Sequence, residues 1–214
     1  MSSRRRPPRR KPLWRWEPAG YILLFLLLFV TSALQVTGPV IAFWVFLGVT
    51  AAVALIVLAG LFGAGARGRR NPDAYGNLTT LAGLTLVPTP PSDAARTVVS
   101  DASRHQNAID AAAAFGGGTL TAVLVPRATR WLGRRYRVAV HLVAGANQRV
   151  FHAGFLPLAL GDEWHALLLP LRAEGRYLLV PATVFGDRRP FSVELDLGSA
   201  SAAFLRANDE RGSQ

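Results

Sequence analysis

Two stretches without a single charged residue limit this 214-residue chain more than any other feature: "YILLFLLLFVTSALQVT" at residues 21–37 and "VIAFWVFLGVTAAVALIVLAGLFGAG" at residues 40–65. A helix needs roughly 20 apolar residues to cross about 30 Å of hydrocarbon. The second stretch is long enough to cross at a tilt, and the first becomes so once Pro18, Ala19 and Gly20 are added. Gly38 and Pro39 between them break a continuous helix. The expectation is a two-helix transmembrane hairpin over residues 18–66. Buried core helices are seldom so long and so free of charge.

The charge distribution orients that hairpin. Residues 1–70 hold ten basic residues and one acid, against fourteen and twelve in residues 71–214. The formal charge of +11 is therefore mainly a property of the hairpin's flanks, and it is weak evidence for a nucleic-acid-binding domain. Arginine-rich flanks stay in the cytoplasm, and here both flanks are rich in arginine while the turn is uncharged. Both termini are expected on the cytoplasmic side. Trp14 and Trp16 before the first span, and Arg67, Arg69 and Arg70 after the second, are the expected membrane-interface residues. A signal peptide opens in the same way, but no A-x-A-like cleavage site follows the first span, and a second span comes at once. Of the 24 basic residues only Lys11 is lysine; with the abundant alanine and glycine, that bias suggests a GC-rich bacterial genome and hence a bacterial plasma membrane. Gly48 with Ala52, and Gly60 with Ala64, have the four-residue spacing that lets membrane helices approach closely.

The rest of the chain divides by composition. Residues 1–17 form a basic, proline-containing segment expected to be disordered, and residues 67–94 read as a linker closed by "VPTPPSD". Residues 95–198 read as a compact domain, followed by a tail over 199–214. Within the domain "TVV" suggests a short strand, and "SRHQNAIDAAAAF" a helix with Ser103 as its N-cap. "TLTAVLVPR", "RYRVAVHLVAG", "QRVFHAGFL", "RYLLVPATVFG" and "FSVELDLG" read as strands, and "LALGDEWHALLLPLRAEG" as an amphipathic helix ended by Gly175. In the second of these strands Val138, Val140 and Leu142 alternate with Arg135, Arg137 and His141; in the last, Ser192, Glu194 and Asp196 are expected to face solvent. The fold class is a small α+β domain with two helices and a curled or barrel-like sheet, carried behind the hairpin.

The pieces "SRHQNAIDA", "AVLVPRATRW", "YRVAVHL", "HAGFLP", "LLPLRAEG", "YLLVPATVFG" and "FSVELDL" come in the order found in the HIRAN domain of bacterial proteins, which residues 95–197 resemble. The resemblance covers about half the chain. It implies a small β-barrel-like fold, and some members of that family grip single-stranded DNA ends. Their hallmark loop, of the form N-P-Y-D-x-N-A-V, falls on "WLGRRYRVAV", where Gly133, Arg134 and Tyr136 stand at its tyrosine, aspartate and second asparagine. The hallmark polar residues are not retained. Arg104 matches an arginine that the family uses at its pocket.

Nothing in the chain spells out a reaction. Without cysteine there are no disulfides, thiolate metal sites or cysteine nucleophiles. His105, His141, His152 and His165 do not have metal-ligand spacing, though His141 and His152 are able to approach across a hairpin. No H-E-x-x-H, G-K-[ST] or G-x-S-x-G is present. No catalytic residue, metal or cofactor is expected, and a hydrolase is the poorest reading. Charge is polarised, however: residues 104–151 hold seven arginines and one acid. The expected binding residues for an anionic partner are Arg104, Arg130, Trp131, Arg134, Arg135, Tyr136 and Arg137. Three roles are open to the 130–137 stretch: stacking and phosphate contacts to single-stranded nucleic acid, contact with anionic lipid, or a solvated loop. The functional expectation is a membrane-anchored, non-enzymatic binding module presented to the cytoplasm.

Overall fold

The uncharged stretches form helices because they are rich in leucine and alanine, which favour a helix, and because a helix pairs its own backbone groups along its length. The computed structural model describes residues 10–12, 16–68, 76–92, 96–116, 120–130 and 133–198, with the backbone alone for residues 17, 37 and 61–68. Helix α1 spans Glu17–Thr37 and helix α2 spans Val40–Gly68, so α1 is about 31 Å long at 1.5 Å per residue. Both contain a window long and apolar enough to cross a membrane, Pro18–Val36 and Val40–Gly60, and only 6% of each window is buried. Phe25, Phe29, Ile41 and Ile56 are about 70–80% exposed. Helices of a soluble core would bury these side chains. Residues 1–9, 13–15 and 199–214 lie outside the described residues, and with them most of the expected basic segment, all of the tail, and Trp14; so do Arg69, Arg70 and Trp131.

The two helices pack on each other in an antiparallel hairpin. At their contact, Thr31 and Thr50 are buried and their hydroxyls lie 3.0 Å apart. Each also donates to its own helix, at Leu27 C=O and Phe46 C=O. The close approach comes from Gly20, where a Cβ would stand 3.3 Å from Val57 Cγ2. Gly48 and Gly60 have nothing within 4 Å of an added Cβ. Gly48 and Gly60 are therefore not where the two helices touch. By its contacts the chain divides into two compact units, one comprising Arg10–Asn71 with Arg130–Arg135, the other including Pro72–Thr129 and the chain from Tyr136 on.

The second unit is built on a curled sheet. Its strands are β1 (Thr85–Pro88), β2 (Thr97–Val98), β3 (Leu120–Ala128), β4 (Arg137–Ala144), β5 (Arg149–Phe155), β6 (Arg176–Phe185) and β7 (Ser192–Leu195). The order is β2-β7-β6-β3-β4-β5, antiparallel throughout, with β1 added parallel to the first half of β6. The curl brings the ends of that order together. Ser100, just past β2, and Phe155, ending β5, exchange two backbone hydrogen bonds of 2.8 and 3.0 Å. Inside the curl lies the main core: Leu124, Val138, Val140, Leu142, Val180, Val193 and Leu195, closed by Ile109 of α3 (Gln106–Gly116) and by Trp164 and Leu168 of α4 (Leu158–Ala173). Fully burying each such side chain contributes about 1.5–3 kcal/mol.

Four expectations are corrected. The segment read as linker within residues 67–94 belongs to the fold where it is described: β1 pairs with β6, and Leu78 and Leu81 are buried with Val123, Val125, Ala139 and Tyr177. That second core covers the outer face of β3 and β4. The Arg137–His141 face of β4 is therefore buried, at 8% and 1% exposure, so Arg137 is not the accessible cation expected for an anionic partner. Asp196 is also buried, accepting hydrogen bonds from the Ser92 hydroxyl and N–H and from Gly198 N–H. Burial alone would raise its pKa, but these bonds hold it below the ordinary value. Ser103 is not an N-cap; it sits within a 3₁₀ turn, Ala102–Arg104, that precedes α3.

The seam depends on a glycine. Gly154 has φ 141°, and a Cβ there would stand 2.3 Å from Ser100 C=O. Gly154→Ala is expected to force Ser100 away from Phe155 and to lower stability by roughly 1–3 kcal/mol. Thermal unfolding of the full chain in detergent, followed by near-ultraviolet circular dichroism, measures this; an unchanged midpoint contradicts the closed seam.

Candidate functional site

The basic stretch divides between two environments. Arg130 and Arg135 are exposed and Arg134 is half-buried. Gly133 N–H donates to Arg130 C=O at 2.9 Å, which turns the chain tightly. Arg135 pairs with Arg10 in an antiparallel bridge, and Lys11 N–H donates to Arg134 C=O at 2.6 Å. Arg134 Nε donates back to Lys11 C=O at 3.3 Å. The loop thus belongs to the hairpin unit, strapped by its backbone to the basic segment that leads into α1. Trp16, the N-cap residue of α1, follows that segment.

Tyr136 and Arg137 have other partners. The Tyr136 ring stacks on His165 with centroids 5.6 Å apart and planes at 11°. Arg137 Nη1 donates to Asp101 Oδ2 at 2.7 Å, Nη2 donates to Leu156 C=O at 3.2 Å, and the guanidinium lies 4.6 Å from the centre of the Phe155 ring. A guanidinium so engaged is a structural cation, not a hand extended to an outside anion. Arg104 is exposed and lines an open groove with Ser103 and His105–Ala108 on the barrel unit, a different unit from Arg130, Arg134 and Arg135. Among the expected binding residues, Arg104, Tyr136 and Arg137 thus belong to the barrel unit, and Arg130, Arg134 and Arg135 to the hairpin unit. Arg67 lies in the last turn of α2 by its backbone.

A second cluster was only partly visible in the sequence. His141 and His152 are register partners across β4 and β5, and their rings are 4.8 Å apart. His105, following the 3₁₀ turn, sets its ring 4.4 Å from His152 and at 82° to it. Phe155 closes the other side of His152 at 5.2 Å. His141 Nε2 is 3.0 Å from Gly76 C=O, so the ring is fixed as the tautomer that donates there. Nδ1 of His141 and Nδ1 of His152 are buried without a hydrogen-bond partner among the described residues. Burial first, then the neighbouring imidazoles, lower His152 to about 3; burial outweighs the Gly76 bond and lowers His141 to about 4. His105 is lowered by burial, with Asp101 opposing and Arg104 assisting. The hairpin register foretold the first pair. His105 joins only because the turn after β2 crosses β5, which no local pattern encodes. Among the described residues, no three of His, Cys, Asp or Glu are arranged to hold a metal ion.

The Arg137–Asp101 pair gives a direct test. Asp101→Ala leaves a buried guanidinium with only a carbonyl and an aromatic face, and is expected to cost on the order of 3 kcal/mol. Asp110→Ala removes an exposed pair with Arg189 and is expected to change stability by less than about 1 kcal/mol. Denaturant midpoints of the two full-length variants check the difference; equal effects contradict the structural role of Arg137.

No family model, no curated protein and no solved structure matches this chain.

Proposed function

We propose that the chain is a membrane-anchored, non-enzymatic binding module of the bacterial plasma membrane. In this reading α1 and α2 span the bilayer as a two-pass hairpin with both termini in the cytoplasm. The barrel is a HIRAN-like domain presented there, on the order of its strand and helix motifs. The anionic partner is the headgroup layer itself, taken by Arg130, Arg134 and Arg135.

One observation carries the choice of lipid over nucleic acid. The loop is backbone-paired to Arg10 and Lys11, within a few residues of the start of α1. Anchoring α1 in a bilayer therefore keeps Arg10, Arg130, Arg134 and Arg135 close to the headgroup plane, while Lys11 is buried and contributes through its backbone. Each basic residue near an anionic surface contributes about 1 kcal/mol, and the field decays over a Debye length of about 8 Å at physiological salt. Nucleic-acid stacking would need aromatic and cationic groups together. Tyr136 is stacked on His165, and Arg137 is held by Asp101.

The full chain purified in detergent, with phosphatidylglycerol and phosphatidylcholine supplied in equal amounts, tests this. Native mass spectrometry is expected to find phosphatidylglycerol retained in preference. Changing Arg130, Arg134 and Arg135 together to alanine is expected to abolish that preference, and added salt to weaken it. Short single-stranded DNA is expected not to bind. Equal retention of both lipids by the native chain, or tight DNA binding lost in the triple variant, overturns the lipid reading.

A further inference from the structure

The three imidazoles sit across the seam that closes the barrel. His105 belongs to the segment leaving Ser100, and His152 to the strand that ends at Phe155. Ser100 and Phe155 are the residues whose backbone bonds make the seam. Each edge of the seam thus brings a titratable ring to the other, 4.4 Å apart, with His141 behind them at 4.8 Å from His152. We propose that His105, His141 and His152 form a proton-sensitive latch, which keeps the Ser100–Phe155 seam shut at neutral pH and releases it on acidification.

The surroundings make protonation disruptive. On β4 the cluster has Arg137 as neighbour through Phe155, and on the turn it has Arg104 and Asp101. Asp101 is the facing acid, and it is already paired with Arg137 at 2.7 Å. From the segment before β1 comes the Gly76 carbonyl, which occupies Nε2 of His141. On α3, Asp110 is held by Arg189. A proton placed on His152 therefore meets two imidazoles and an aromatic edge, with no free carboxylate among these groups to receive it.

The direction follows from linkage. An imidazole that binds protons more weakly when closed than when open takes them up on opening. Closure is fully favoured above the ordinary value of 6.5, and is lost as pH falls toward the closed-state values, about 4 for His141 and about 3 for His152. At pH 5 each of these two histidines, once released, favours the open form by roughly twentyfold relative to pH 7.

Native-state hydrogen exchange of the full chain in detergent reads this at single amides. Between pH 7.5 and pH 5, corrected for intrinsic exchange, protection of Ser100 and Phe155 is expected to fall at least tenfold more than that of Val123 and Val180 in the centre of the sheet. His105→Gln and His152→Gln, made separately, are expected to reduce that pH dependence. His105→Gln alters a half-buried rim position and decides the matter if His152→Gln does not fold. Equal protection of the seam at both pH values, a uniform fall over the whole sheet, or an undiminished pH response in His105→Gln overturns the latch.

Discussion

The ion pair between Arg137 and Asp101 ties β4 to the turn after β2, beside the seam where the ends of the curled sheet meet. Taking a guanidinium out of water costs several kcal/mol unless its donors are met. Here Asp101, the Leu156 carbonyl and the face of Phe155 surround it. These groups come from the turn after β2 and from the end of β5, so satisfying one side chain of β4 draws two other segments onto it. Asp101 is held at φ 67° to reach it, a left-handed conformation that costs about 1–2 kcal/mol in most residues and less in aspartate. Nε of Arg137 is buried without a partner among the described residues, so the pair is not a perfect neutralisation. The seam at Ser100 and Phe155 and the histidine cluster beside it both lie on this frame.

Covering the outer face of β3 and β4 is the second requirement. Val123, Val125 and Ala139 would be wet if residues 76–86 were a free linker. Instead Leu78, Leu81, Leu84 and Leu86 lie over them. Gly76 allows the chain to approach, since a Cβ there, at φ 79°, would stand 2.4 Å from Ala128. The same covering segment supplies the carbonyl that fixes the His141 tautomer. Packing and the chemistry of the cluster therefore have one origin.

These features were unequally legible. The apolar stretches announced the two helices, because length and absence of charge are local properties. The strands from Leu120 to Leu195 followed from period-two alternation and from glycine turns, and Val138, Val140, Val193 and Leu195 face the core as that period requires. The role of residues 76–92 was hidden. Three prolines and weak hydropathy look like a linker, and parallel pairing of β1 with β6 joins segments some ninety residues apart. Arg137 was misread for a related reason: an arginine alternating with valines signals a wet face unless a carboxylate from elsewhere meets it, and Asp101 is 36 positions away. Sequence proximity joined Arg137 to Arg130, Arg134 and Arg135, whereas their backbone partners and burial separate them.

That separation bears on function, since arginines within one short stretch have opposite tasks. Arg137 is consumed in tying β4 to the turn after β2, while the loop before it is strapped to the entry of α1. The lipid reading stands or falls on the depth of that loop. The chain has no native cysteine, so Arg135→Cys carries a single spin label, and electron paramagnetic resonance in vesicles measures its accessibility to oxygen and to a water-soluble nickel chelate. A label at headgroup depth, shielded from the chelate and exposed to oxygen more than a label free in water, is the predicted result. Accessibility equal to that of a label in bulk water would contradict it.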